Sequence, residues 1–177
     1  LFTFNSDMKK NRLSFFIKCF LLSSPFLTLL VFYVVKDPFK VIRTYHDYDH
    51  SEVCLCEGSV GWWKYKMYRN KEHYDSFIMG TSCTKAFNTQ EWNRYIHGHP
   101  FRFFGNGECV GDVLLKLQAL DKQPNQPIKN LLIVGENEFF SNTEPQKTSR
   151  NIMPPDVNGG NEMSYQMAFV QSFMYPD

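Results

Sequence analysis

The chain has 177 residues, with 19 Lys and Arg against 18 Asp and Glu. That length holds one anchor and one domain rather than two full domains with separate cores. The near-neutral balance leaves no basic surplus to neutralise a phosphate backbone, which excludes nucleic acid as an expected partner.

Met8-Lys9-Lys10-Asn11-Arg12 stands directly before an apolar run, in the form of a bacterial start with a positive amino-terminal region. Residues 1–7 are therefore expected to be upstream read-through, and residues 1–12 a cytoplasmic tail. Residues 13–35 are almost all apolar or small. At about 1.5 Å of rise per residue they cover the roughly 30 Å hydrocarbon layer, which predicts one transmembrane helix. Lys18 sits near its amino-terminal edge, where a long stem carries the ammonium back to the headgroups. Ser23-Ser24-Pro25 predicts a kink in mid-span. A cleavable signal peptide is the competing reading, but Val35-Lys36-Asp37-Pro38 lacks a small-residue cleavage pattern. Lys9, Lys10, Arg12 and Lys18 precede or enter the span and Lys36, Lys40 and Arg43 follow it, a slight bias that puts the amino terminus inside. The rest of the chain is then expected on the outer side of a bacterial membrane.

Residues 36–73 read as an irregular juxtamembrane connector in which Tyr45, Tyr48, Trp62, Trp63, Tyr65 and Tyr68 alternate with charges. Trp62 and Trp63 suit either the bilayer interface or a cap on the domain core. A membrane-protein partner meeting this aromatic segment is one use for it.

From Tyr74 short apolar runs alternate with helical patterns, the signature of parallel βαβ units in an α/β domain spanning residues 74–177. Strands are expected at residues 76–80, 101–104 and 131–134. Thr89 is expected to cap a helix ending at Ile96, with Gly98 as its left-handed stop. Val110, Val113, Leu114, Leu117 and Leu120 recur at helical spacing, so residues 110–121 should pack a stripe on the sheet. The unbroken run 131–134 suits a strand covered on both faces. After Phe140 a polar loop carries Pro145, Pro154, Pro155, Gly159 and Gly160, and a Met- and Phe-rich helix follows at residues 163–174, its Met residues serving packing. Three strands leave an open edge, so more sheet is expected past Asp177 and the chain reads as truncated at its carboxyl end.

Ligand sites of open parallel sheets collect at the carboxyl ends of the strands. Those ends carry Gly80-Thr81-Ser82, Gly105-Asn106-Gly107-Glu108 and Gly135-Glu136-Asn137-Glu138, each a glycine for a tight turn beside small polar groups. In these three motifs, over residues 74–138, the chain resembles the SGNH (GDSL-like) hydrolase and acyltransferase superfamily, in particular membrane-anchored envelope members. The resemblance implies a three-layer αβα fold around a parallel flavodoxin-like sheet, here incomplete at about three strands. It implies Ser82 as nucleophile, and the Gly107 N–H and the Asn137 amide as oxyanion donors. The function implied is that of an esterase or O-acyltransferase acting on a cell-envelope polymer, with that polymer or an acyl donor as partner. No cofactor and no metal are expected.

The chain departs from the family at Thr81 and Glu138, where the family has Asp. The family also takes its base from an Asp-x-x-His motif late in the domain, whereas His46, His50, His73, His97 and His99 all precede the third strand. Asp47-Tyr48-Asp49-His50 matches that spelling but lies between anchor and domain. Activity is accordingly not expected of this chain as it stands, and a non-catalytic envelope assembly module is the alternative. His97 and His99 read as solvated loop residues. Cys19 is expected to be inert in the membrane, and Cys54, Cys56, Cys83 and Cys109 to be free thiols. A Cys83–Cys109 bridge is conceivable from the family topology, and Cys83 is a rival nucleophile to Ser82.

Overall fold

The computed structural model describes residues 2–51, 53–145 and 151–175, with side chains from Arg12 onward. It divides into two compact units, Leu1–Pro38 and Phe39–Asp177. The first is a single helix, α1 (Phe2–Lys36), of which Arg12–Lys36 is long and apolar enough to cross a membrane. Its apolar side chains stand exposed, Phe16 at 66% and Leu22 at 79%, a column of a kind that water tolerates poorly. The helix already runs at Phe2, so the basic segment expected as a tail continues the same rod. The side chains of Lys9 and Lys10, which enter the orientation argument, lie outside the described residues.

Pro25 lies inside α1 and has no N–H to give the Leu21 carbonyl one turn back. Ser24 Oγ donates to that carbonyl instead, at 2.9 Å. Ser23 Oγ donates to Phe20 O at 3.1 Å and Thr28 Oγ1 to Ser24 O at 2.8 Å. The helix α1 continues through Pro25, its orphaned carbonyl satisfied by a hydroxyl.

The second unit runs α2 (Glu57–Glu72), β1 (Ser76–Gly80), a short 3-10 helix (Ser82–Ala86), α3 (Thr89–Ile96), β2 (Pro100–Arg102), α4 (Val110–Asp121), β3 (Asn130–Val134), α5 (Asn137–Ser141), α6 (Pro155–Asn158) and α7 (Glu162–Met174). It is a mixed α/β unit with a parallel three-stranded sheet in the order β2-β1-β3. Ser76 pairs with both Pro100 and Asn130, and the β1–β3 register continues to Gly80 and Val134. All five residues of β1 are buried. Asp75 holds the strand starts together: Oδ1 accepts from the His99 N–H at 2.7 Å and from Ser76 Oγ at 2.9 Å, and Oδ2 meets Lys129 Nζ at 2.8 Å.

Three local expectations are corrected. Within the segment read as an irregular connector, residues 57–72 form α2, and Trp62 and Tyr65 are wholly buried in the core with Phe77 and Phe103. Of the two uses open to Trp62, packing is the one observed. Its ring centroid lies 5.2 Å from Tyr65 and 6.1 Å from Phe103, and Phe77 lies 5.9 Å from Phe103. Full burial of each such ring contributes about 1.5–3 kcal/mol, and the polar tips are paired, Trp62 Nε1 with Asp156 Oδ2 at 3.0 Å and Tyr65 Oη with Gln126 Oε1 at 2.6 Å.

The caps of α3 lie one residue earlier than expected. Asn88, not Thr89, accepts from the N–H groups of Gln90 and Glu91, and His97 at φ 50°, not Gly98, takes the left-handed position. A short polar side chain just outside the first turn reaches those N–H groups better than one inside it. The strand β3 is also not covered on both faces: Leu131 and Ile133 are 40% and 44% exposed, and the sheet ends at β3.

Candidate functional site

Because the three strands are parallel, their carboxyl ends open on the same end of the sheet, with the turn after the central strand β1 between the other two. Gly80 closes β1 at φ 132°, and a Cβ there would collide with the Val134 carbonyl. Only glycine lets β1 end so close to β3. Thr81 N–H then donates to Val134 O at 3.1 Å, and the Thr81 hydroxyl accepts from the Cys83 N–H, starting the 3-10 turn. Ser82 is the first residue of that turn and is exposed. Its hydroxyl has no hydrogen-bond partner among the described residues.

After β2 the chain turns through Asn106 and Gly107, both exposed, with Gly107 at φ 65° and open space where a Cβ would stand. After β3, Asn137 begins α5 and is exposed; its side-chain amide has no partner among the described residues. Two of the three loops are joined directly, because Cys83 Sγ donates to Glu136 Oε1 at 3.1 Å. The neighbours of Ser82 and Asn137 thus touch. The turn after β1 is tied to β2 as well, through Arg102 Nη1 donating to Phe87 O at 3.1 Å and Lys85 Nζ lying 4.0 Å from the centre of the Phe104 ring.

Beneath the Gly105–Gly107 turn lies a buried ion pair that the sequence reading missed. Glu108 and Lys116 are 2% and 1% exposed and bonded to each other, the Glu108 side chain folded where a Cβ on Gly105 would be. Burial pushes the Glu108 carboxyl up, against the pull of Lys116. Glu57 is also raised by burial, and its Oε2, Glu108 Oε2 and the Thr84 hydroxyl are buried without partners among the described residues. The signal was present in the stripe of α4: Lys116 falls three residues after Val113 and four before Leu120, on the buried face.

The histidines do not gather at Ser82. Asp47 and His50 bond to each other at 2.8 Å, while Asp47 Oδ1 accepts from the N–H groups of Asp49 and His50. The His50 bond and those two N–H groups take the Asp47 carboxyl down to about 2. This is a self-closed surface turn, its two side chains 52% and 89% exposed. His73 and His97 both close helices in the left-handed conformation, and the His99 N–H is spent on Asp75. All five cysteines are free thiols, with Cys109 Sγ donating to Glu144 O at 3.1 Å and Cys56 Sγ to Ile152 O at 3.4 Å. Among the described residues no group of three or more His, Cys, Asp or Glu side chains is placed to hold a metal ion.

Comparison with protein-family models, with curated proteins and with solved structures finds no match to this chain.

Proposed function

We propose that the chain is a membrane-anchored, SGNH-like serine esterase or O-acyltransferase of the bacterial cell envelope, acting on an envelope polymer, with Ser82 as nucleophile. A three-layer αβα arrangement around the sheet is part of that reading. The observation that carries it is the unpartnered Ser82 hydroxyl, exposed on a 3-10 turn at the carboxyl end of the central strand. A serine so placed is free to approach an ester carbonyl; as its oxygen bonds to the acyl carbon the ester C–O bond breaks, and the serine proton passes, through the histidine of the family's Asp-x-x-His, to the departing alkoxy group. The Gly107 N–H and the Asn137 amide, at the ends of the flanking strands, are the donors assigned to the developing oxyanion. The anchor is residues 13–35, with the second unit outside the cytoplasm; the length and exposed apolar surface of Arg12–Lys36 support the span.

The test is hydrolysis of p-nitrophenyl acetate, in nonionic detergent, by a form of the protein that also supplies the Asp-x-x-His base, which the histidines of residues 1–177 do not place at Ser82. The expected result is turnover that Ser82→Ala lowers by about 100-fold or more, the scale of losing an activated nucleophile. Equal rates for the two proteins would refute the assignment. A second reading, a non-catalytic envelope assembly module, is favoured by one observation: none of the five histidines hydrogen bonds to Ser82. Absence of turnover from the form that carries the Asp-x-x-His supports that module.

A further inference from the structure

Beside the Ser82 turn, a cavity of about 740 Å³ lies between α2, the 3-10 turn and β2, and Lys64, Lys85 and Arg102 line it with Glu57 as the single carboxylate. Its size is that of small-molecule sites, which run to about 300–1,000 Å³. The three cations are not equivalent. Lys64 is paired to Asp49 and its charge is matched there. Arg102 is held by neutral groups, Nη1 donating to the carbonyls of Lys85 and Phe87 at 3.4 and 3.1 Å, which orient the guanidinium and leave its charge uncompensated. Lys85 lies over the Phe104 ring at 4.0 Å and meets Glu57 at 3.9 Å, a loose pairing that offsets part of its charge.

Arg102, oriented by two carbonyls, and Lys85, lying over a ring, stand at the wall of one cavity, where three cations outnumber the single lining carboxylate, and together form a receptor for an anion. We propose that this cavity binds an anionic substituent of the substrate, a phosphate or a carboxylate, between Lys85 and Arg102. Ser82 opens the 3-10 turn whose Lys85 and Ala86 line the cavity, so the anion belongs to the same substrate that Ser82 attacks. This assignment to the substrate rests on the reading of Ser82 as nucleophile; the binding of the anion does not.

The experiment uses the full chain carrying Ser82→Ala in nonionic detergent, titrated calorimetrically with glucose 6-phosphate, glucuronate and glucose, which share one ring and differ in charge. At least one of the two anions is expected to bind and glucose not to bind over the same range. Response to the phosphate alone identifies a phosphoryl group, and response to glucuronate alone a carboxylate. Lys85→Gln and Arg102→Gln are each expected to weaken binding by at least about tenfold, while Lys122→Gln, a change at the exposed residue that follows α4, leaves it unaltered. Arg102 also braces two backbone carbonyls, so its variant is checked by circular dichroism; Lys85 has a side chain 63% exposed and serves as the variant that keeps the fold. Glucose binding as tightly as the anions, anion binding indifferent to Lys85→Gln, or no binding of either anion overturns the proposal. Loss of the Ser82 assignment in the ester assay leaves this binding result standing.

Discussion

The Cys83 thiol and the Glu136 carboxylate meet at 3.1 Å across the top of β1 and β3, joining the two loops that carry Ser82 and Asn137. A thiol one residue from the assigned nucleophile makes a discriminating pair. Cys83→Ala is expected to leave p-nitrophenyl acetate hydrolysis within about threefold of the parent, because only the loop tie is lost, against the much larger effect of Ser82→Ala. Inactivation of the Cys83→Ala protein with an active Ser82→Ala protein would transfer the nucleophile to sulfur.

The Glu108–Lys116 pair makes a stability prediction. Lys116→Met leaves the Glu108 carboxyl buried with no counter-charge, and is expected to cost about 3–5 kcal/mol in urea unfolding. Adding Glu108→Leu removes the stranded group, so the double variant should recover most of that loss. Equal loss in the single and double variants would show that the pair matters through shape alone.

Asp75 predicts a pH dependence. Burial opposes its ionisation, but the donors Lys129, His99 and Ser76, with the charge of Lys129, outweigh burial and hold the carboxyl at about 2 rather than 3.8. A folded-state value below the unfolded one stabilises fully above about pH 4, and that stability drains as pH falls through about 2. Asp75→Asn should therefore cost about 2 kcal/mol at neutral pH, and the gap between variant and parent should close on acidification. Urea midpoints at pH 7, 4 and 2 check it; a constant gap would assign the effect to packing.

Much of the sheet was readable because its signals are local. Gly80 ends a buried apolar run, and helical spacing finds α4 itself, though not its whole inner face: Val113 and Leu120 are buried while Leu114 stands 51% exposed and Lys116 takes a buried place. The helix α2 was not readable in the same way: Gly58 and Gly61 weaken its first turns, and Lys64, Lys66 and Arg69 interrupt its aromatic residues. It is secured by Trp62 and Tyr65 packing on Phe77 and Phe103, contacts visible only once the chain has folded. The same holds at the rim. The order Gly80-Thr81-Ser82 marks an exposed turn, but the partnership of Cys83 with Glu136 joins residues 53 apart in sequence. For β3, an apolar run says that water is avoided over the run as a whole, not which side chains find cover; Leu131 and Ile133 do not.

The assigned orientation predicts a labelling pattern. Cys54 is exposed in the second unit, so in intact bacterial cells expressing the Cys83→Ala chain an impermeant maleimide should label it. Labelling that appears only after permeabilisation would place the amino terminus outside. The chain should also stay with the membrane pellet in alkaline carbonate, as an integral span does.

The hydroxyls of α1 bear on what such a span does among its neighbours. Ser23, Ser24 and Thr28 would be natural donors to an adjoining helix in lipid, yet each already gives its proton to a carbonyl of its own rod. What that stretch turns outward is hydrocarbon, with the three hydroxyl protons spent inwardly and only their oxygens left to accept.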